Sequence, residues 1–218
     1  MSQLSTSAIR DRLRHGELEN RLVVSPLLDA DSQVKVGQAS VDVRLGFEFC
    51  LVSPSSTGSI DELNSQGIPP DFSSLYRREY VPFGASITIH PHQFMLAQTL
   101  EYLRFPRDLM AYVVGRSTWG RLGLIVATAV GIHPGFAGSL TLELRNLGET
   151  PLTLYPGQTI AQLFIHEVVD GDGQPAKGDA THAQYAGTVD MIPQKISSNP
   201  TYTILEKLKK RFVDRSGV

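Results

Sequence analysis

Residues 115–146, GRSTWGRLGLIVATAVGIHPGFAGSLTLELRN, gather the groups best able to do chemistry. Glu143 stands in an alternating run, Leu140-Thr141-Leu142-Glu143-Leu144. In a strand the leucines face one side and Glu143 the other, because successive side chains alternate. If that other side is solvent, Glu143 is an ordinary surface carboxylate. If it borders a bound molecule, Glu143 can take up a proton and return it. Arg145 shares the face of Glu143, which also fits a simple surface ion pair.

Upstream, Gly115-Arg116-Ser117-Thr118 follows the apolar stretch 109–114. This order predicts a turn into a short helix with Ser117 as its cap. The first amides of such a turn attract anions. Arg116 and Arg121 add guanidinium forks that match phosphate oxygens. Ser117 and Arg121 are four residues apart and share a helical face. The same residues also fit a capped surface turn with solvated arginines. Gly131, Gly135 and Gly138, with Pro134, predict a hairpin-like turn, and glycines let backbone approach a ligand closely. Phe136, between them, either packs on a sugar or base or covers the core.

Elements that could position these groups are mostly short strands. Residues 5–16 predict a helix capped by Ser5 or Thr6, with Ile9 and Leu13 on one face and Gly16 at its end. Residues 39–45 alternate and stop at Gly46, and 47–51 resume, as a strand with a bulge at the glycine would. Apolar strands at 86–89, 94–97, 109–114, 152–154 and 160–165 are separated by Pro and Gly turns. That spacing predicts an all-β, barrel-like or sandwich-like domain with little helix. Residues 53–75 read as a long surface loop and 169–182 as a linker. Residues 202–213 predict a helix with Leu205, Leu208 and Phe212 on one face. Its surrounding lysines and arginine are the ordinary complement to a helix C-terminus.

Composition narrows the function classes. A chain of 218 residues with 41% hydrophobic and 19% charged residues fits one large globular domain. A net charge of −2 gives no field that gathers nucleic acid, so any bound nucleotide is expected to be small. No apolar run approaches the roughly 18–20 residues of a membrane span. The N-terminus lacks the apolar core of a signal peptide, so a cytoplasmic protein is expected. The single cysteine, Cys50, excludes an internal disulfide. It also removes the thiolate pair that zinc nucleobase deaminases use, so no zinc is expected.

An ordered series of segments resembles the dCTP deaminase branch of the dUTPase-like family. Ser40-Val41-Asp42-Val43-Arg44-Leu45-Gly46 is similar to the family's N-terminal strand. His90-Pro91, Thr99-Leu100-Glu101 and Pro106-Arg107-Asp108-Leu109 follow in the family's order. Arg116-Ser117-Thr118-Trp119-Gly120-Arg121-Leu122-Gly123-Leu124 resembles its RSSxxRxGL segment. Pro134-Gly135-Phe136-Ala137-Gly138 and Leu142-Glu143-Leu144 resemble its DPGFxG and LEL segments. Pro156-Gly157-Gln158 and Ile160-Ala161-Gln162-Leu163 resemble its late strand pair. The likeness covers about residues 8–168.

The resemblance implies a mainly β, dUTPase-like β-clip, a distorted β-barrel with a short N-terminal and a C-terminal helix. Residues 1–168 would form the deaminase-like domain. Residues 169–218 would hold a linker, a nucleotide-closing segment and the helix. It implies a homotrimer with sites between subunits, acting on a pyrimidine deoxynucleotide triphosphate. The implied reaction is zinc-independent hydrolysis of dCTP to dUTP and ammonia, with Glu143 activating the water. Ser117 and Arg121 would support the base, and the backbone near Ala129 would hold the water. Arg116, Ser117 and Thr118 would meet phosphates bridged by Mg²⁺. Phe136 would cover the deoxyribose, and Thr128, Gln162 and Tyr185 would complete the nucleotide contacts.

Two positions depart from the family pattern. His133 stands where the family has the aspartate that contacts the 3′-hydroxyl; an imidazole can still donate or accept a hydrogen bond. Gln184 precedes Tyr185 where the family has lysine, leaving fewer cations for the outer phosphates. A dUTP diphosphatase, or a bifunctional enzyme, is the first alternative. That chemistry wants an aspartate at the place His133 occupies. A catalytically silent, nucleotide-binding regulatory trimer is the second.

Overall fold

A computed structural model describes residues 2–52, 76–127, 131–169 and 207. The chain divides into two compact units. The first comprises Met1–Val52 with Arg78–Ile192, the second Ser53–Arg77 with Pro193–Val218. Of the second unit only Tyr76, Arg77 and Lys207 are described; Lys207 is helical. The loop expected at 53–75, the linker from 170 onward and the rest of the 202–213 helix lie outside the described residues. So does the placement of the 169–218 segment as a domain. Among the described residues no helix is long and apolar enough to cross a membrane, which says nothing of a β-barrel.

The first unit opens with helix α1 (Thr6–Arg14), whose cap is Ser5: its hydroxyl accepts from the Ala8 amide. Ile9 is fully buried and Leu13 packs on the core. Strand β1 (Val23–Ser25) and the short helix α2 (Ala30–Gln33) lead to the long β2 (Val41–Val52). Strand β3 spans Tyr76–Tyr80. There follow β4 (Ile87–Ile89), β5 (Phe94–Arg104), β6 (Leu109–Gly115), α3 (Ser117–Gly120) and β7 (Leu124–Val126). The chain then forms β8 (Gly131–Ile132), β9 (Ala137–Asn146), β10 (Leu152–Leu154) and β11 (Thr159–Glu167).

The main sheet runs β7-β9-β5-β2-β11-β6-β8, with β1 on β5, while β10 and β4 form a second, two-stranded sheet. The main sheet curls into a half-barrel. The expected mainly β fold is therefore observed. The expected bulge is also there: β2 is one strand whose register against β5 shifts between Leu45 and Phe49. Gly46 explains it, because a Cβ at that position would stand 3.0 Å from the carbonyl oxygens of Gln98 and Thr99. Cys50 is buried and free.

One expectation fails. The Gly131–Gly138 stretch is not a hairpin of two paired strands: β8 pairs with β6, whereas β9 pairs with β5 and β7. A turn from His133 to Phe136, with Gly135 at φ 78°, hands the chain from one part of the sheet to another. Glycine periodicity marked the turn correctly, but strand partners are a long-range property that local residues do not carry.

Strand β2 lies between β5 and β11, and Val41 to Leu45 are all buried, Asp42 and Arg44 included. Arg44 Nε donates to Glu101 Oε1 at 2.6 Å, and the Arg44 amide donates to Oε2 at 2.9 Å. Gln33 Nε2 bridges Glu101 Oε1 and the Asp42 carbonyl. Arg44 Nη2 also donates to the Pro26 carbonyl at 2.9 Å. Glu101 is completely buried, so its charge is stable only while this set is intact. Glu101→Leu strands the Arg44 guanidinium and should cost about 3–5 kcal/mol of unfolding free energy in urea titration. A loss below about 1 kcal/mol would show that the pair is not the anchor described.

Candidate active site

Strand β9 supplies the carboxylate. Gly138, Leu140, Leu142 and Leu144 are buried, while Ser139, Thr141 and Glu143 are half-buried on the opposite face and Arg145 is exposed. The alternation therefore holds, and the face carrying Glu143 is neither core nor open solvent. Glu143 lies opposite Leu96 of β5, and its carbonyl accepts from the Ala127 amide at 2.7 Å. Burial pushes its carboxyl above the ordinary value of 4.5, because desolvation penalises the charged form. Such a carboxylate can accept a proton and hold it long enough to deliver it elsewhere.

A second part of the site is built on α3. The Arg116 amide donates to the Ile160 carbonyl at 3.0 Å, and the Trp119 indole donates to the Thr159 carbonyl at 2.9 Å. These bonds fix the turn on β11. Ser117 is not the helix cap: Arg116 occupies the cap position, without a side-chain capping bond. Ser117 is the first helical residue, so its hydroxyl is not committed to capping. Ser117, Thr118 and Arg121 are exposed, and the Arg121 amide donates to the Ser117 carbonyl at 3.0 Å. Gly123, at φ 92°, then turns the chain into β7; a Cβ there would meet the Gly148 amide nitrogen at 2.6 Å.

The two parts meet at Gly115. A Cβ at Gly115 would come 3.2 Å from the Val126 side chain. Val126 precedes Ala127, whose amide bonds Glu143. Glycine thus lets the end of β6, and the Arg116–Ser117 turn after it, lie against the strand beside the carboxylate.

Arg116 is not a solvated surface arginine. Its Nη1 donates to Asp42 Oδ1 at 2.8 Å and to Gln162 Oε1 at 3.2 Å. Asp42 and Gln162 are cross-strand partners in the β2–β11 pairing, which explains why both reach the same guanidinium. Asp42 is 4% exposed, and burial raises its carboxyl above the ordinary value, with Arg116 and then Lys35 opposing the shift. Neither Asp42 nor Lys35 was singled out by the sequence. The signal was an acidic and a basic residue inside an apolar strand, Val41-Asp42-Val43-Arg44-Leu45.

His133 is exposed, and its carbonyl accepts from the Phe136 amide at 3.1 Å. Phe136 is partly buried and packs against the core, so the core-covering reading is the one its contacts display. Thr128, Ala129 and Tyr185 lie outside the described residues. His90 and His92 flank Pro91, and His92 Nε2 stands 3.9 Å from Glu149 on the surface. Among the described residues no group of three or more His, Cys, Asp or Glu side chains could hold a metal ion.

Comparison with known proteins gives this arrangement a context. A family model described as dCTP deaminase-like matches residues 3–168. The "dCTP deaminase, dUMP-forming" of Methanobrevibacter smithii is 38% identical over 166 residues, 76% of this chain and 80% of that one. The dCTP deaminase of Halorubrum lacusprofundi is 36% identical over 200 residues, 91% of this chain and 93% of that one. The crystal structure of 2′-deoxycytidine 5′-triphosphate deaminase from Agrobacterium tumefaciens has a TM-score of 0.55 at 22% identity. That likeness covers 77% of this chain and 48% of the other, and bears on the fold alone. The matched span holds Glu143, the α3 turn and the Asp42–Arg116 pair together, and the chain belongs to the dCTP deaminase-like family.

Proposed function

We propose that this protein hydrolyses the C4–N4 bond of dCTP, with Glu143 as the proton carrier. The observation that carries the proposal is a half-buried carboxylate with a raised pKa, on the strand beside an arginine-bearing turn. Membership of a family whose relatives are named dCTP deaminase supplies the substrate.

The proton balance suits one carboxylate. Glu143 takes a proton from water as the oxygen adds to C4, and passes it to N3. It then takes the proton of the new C4 hydroxyl and gives it to the amino group. The C4–N4 bond breaks, ammonia leaves and a C4 carbonyl remains. Burial raises this carboxyl above 4.5, which makes it a stronger proton acceptor than an ordinary glutamate while it can still release the proton to the leaving group. Ser117 and Arg121, exposed on and just after α3, would support the base, and the backbone near Ala129 would hold the water. His133 would hydrogen-bond the sugar, and Phe136 would present its free edge to it. Thr118, Thr128, Gln162 and Tyr185 would complete the contacts.

No zinc is assigned a role, because water activation falls to Glu143. Mg²⁺ would arrive on the triphosphate, where it offsets phosphate charge. The residues fit an ion held by phosphates: the carboxylate nearest Arg116, Asp42, is already occupied by Arg116. We also propose a homotrimer with sites between subunits. Tyr112, Val114, Leu122 and Ile125 are large apolar side chains, each at least 36% exposed, on and around β6, α3 and β7. A neighbouring copy that covers them would bury this apolar surface and dehydrate Glu143 further. The cytoplasm is the proposed setting.

A second reading is favoured by a specific observation: some relatives, including the Methanobrevibacter smithii protein, are named dUMP-forming. Forming dUMP from dCTP takes a second hydrolysis, at the triphosphate, and cutting the α–β link would release pyrophosphate. His133, in the place where an aspartate would organise that water, favours dUTP as this chain's product.

Incubation of purified protein with dCTP and Mg²⁺ should release ammonia without pyrophosphate. Stoichiometric pyrophosphate would move the assignment to the dUMP-forming reaction. Neither product, together with thermal stabilisation by dCTP, would establish a silent binding protein. Glu143→Gln should lower kcat by about 10²–10⁴-fold, while dCTP still raises the melting temperature. An unchanged kcat would remove Glu143 from the mechanism.

A further inference from the structure

We propose that Lys35 is a further phosphate-binding residue of this site, forming with Arg116 a two-cation clamp seated on the buried carboxylate of Asp42. The proposal rests on the deaminase reading for the identity of its ligand.

Charge is the first argument. Arg116 is paired with Asp42 at 2.8 Å, so that pair is formally neutral and draws a polyphosphate weakly. Lys35 Nζ stands 4.0 Å from the other carboxylate oxygen of Asp42. The three groups together carry one net positive charge. One carboxylate facing a different cation at each oxygen brings both cations to one place, where a polyphosphate can meet them together.

Available donors are the second argument. Both hydrogen bonds from the Arg116 side chain leave from Nη1, and among the described residues Nε and Nη2 have no acceptor. At 4.0 Å the Lys35 ammonium is held by the field of Asp42 rather than by a hydrogen bond, so its donors remain available. The Lys35 side chain is 46% exposed, against 5% for Asp42.

Rigidity at the base of Lys35 is the third. Its carbonyl accepts from the Thr6 hydroxyl and from the Gln38 amide. The preceding residue, Val34, is fully buried, and its carbonyl accepts from Arg10 Nη2 at 2.9 Å. Gln33, two residues before Lys35, ties α2 to the Asp42 carbonyl. The backbone is pinned beside Asp42 while the side chain is 46% exposed, so a phosphate chain can reach its ammonium from solvent. Asp42 touches no substrate in this scheme; it is a positioning residue.

The test uses the full chain and compares dCTP, dCDP and dCMP. Lys35→Gln should raise KM for dCTP about tenfold, the size expected for losing one charged hydrogen bond, with a smaller rise as phosphates are removed. The kcat should stay close to that of the unmodified enzyme, and Lys35→Arg should restore KM. The melting temperature without ligand should not move, since an exposed ion pair at this distance contributes little to stability. An unchanged KM for dCTP, or an equal rise for all three nucleotides, would overturn the proposal. Inorganic tripolyphosphate separates the two readings. If it stabilises the wild-type protein and not Lys35→Gln, the clamp stands even where dCTP is not deaminated. If it stabilises neither or both equally, the clamp fails even where deamination is observed.

Discussion

Glu101, fully buried on β5 and neutralised by Arg44 of β2, is the contact on which the site's cationic half depends. A carboxylate without water is tolerable only when charge and hydrogen bonds replace the solvent. Arg44 and Gln33 do this at Glu101, and Gln33 extends the set to the backbone of Asp42. Asp42 and Arg44 are two residues apart on β2, so what orients one orients the other. The Asp42 side chain then holds Arg116 on the neighbouring part of the sheet. An interior ion pair with no ligand contact thereby sets the direction of the partly buried Arg116 guanidinium.

The catalytic half obeys a different constraint. Glu143 has to be dry enough to bind a proton and wet enough to exchange one. Strand β9 meets both demands through its pairing: β5 and β7 flank it, one face is packed with leucine, and the other is half covered. Gly115 bears on the same strand contact, since a Cβ there would crowd the Val126 side chain at 3.2 Å. Stability and function are separated along the sheet: charge burial organises β2 and β5, while partial burial tunes β9.

Much of this was legible in the residues. The leucine alternation of 140–144 places Glu143 correctly, Ser5 caps α1 as its type predicts, and Gly46 marks the bulge. What was not legible depended on partners distant in sequence. Alternation alone turns Asp42 and Arg44 toward solvent, but β2 is buried on both faces, so both charges lie inside. Ser117 follows a strand as a cap would, yet the chain enters the helix one residue earlier, at Arg116. The glycines at 131–138 mark a turn without revealing that β8 and β9 pair with different strands. Lys35 carries no motif; only the fold brings it to Asp42.

The central claim is that a partly dehydrated Glu143 must be ionised to start the reaction. Ionisation is lost as pH falls through a carboxyl pKa raised above 4.5, so activity should fail at a higher pH than an ordinary glutamate would allow. The direct measurement is kcat for ammonia release across the acid range, at saturating dCTP, where the profile reports groups in the nucleotide complex. The account predicts a single acid limb displaced upward from 4.5. A kcat that stays flat down to the ordinary carboxylate range would contradict it.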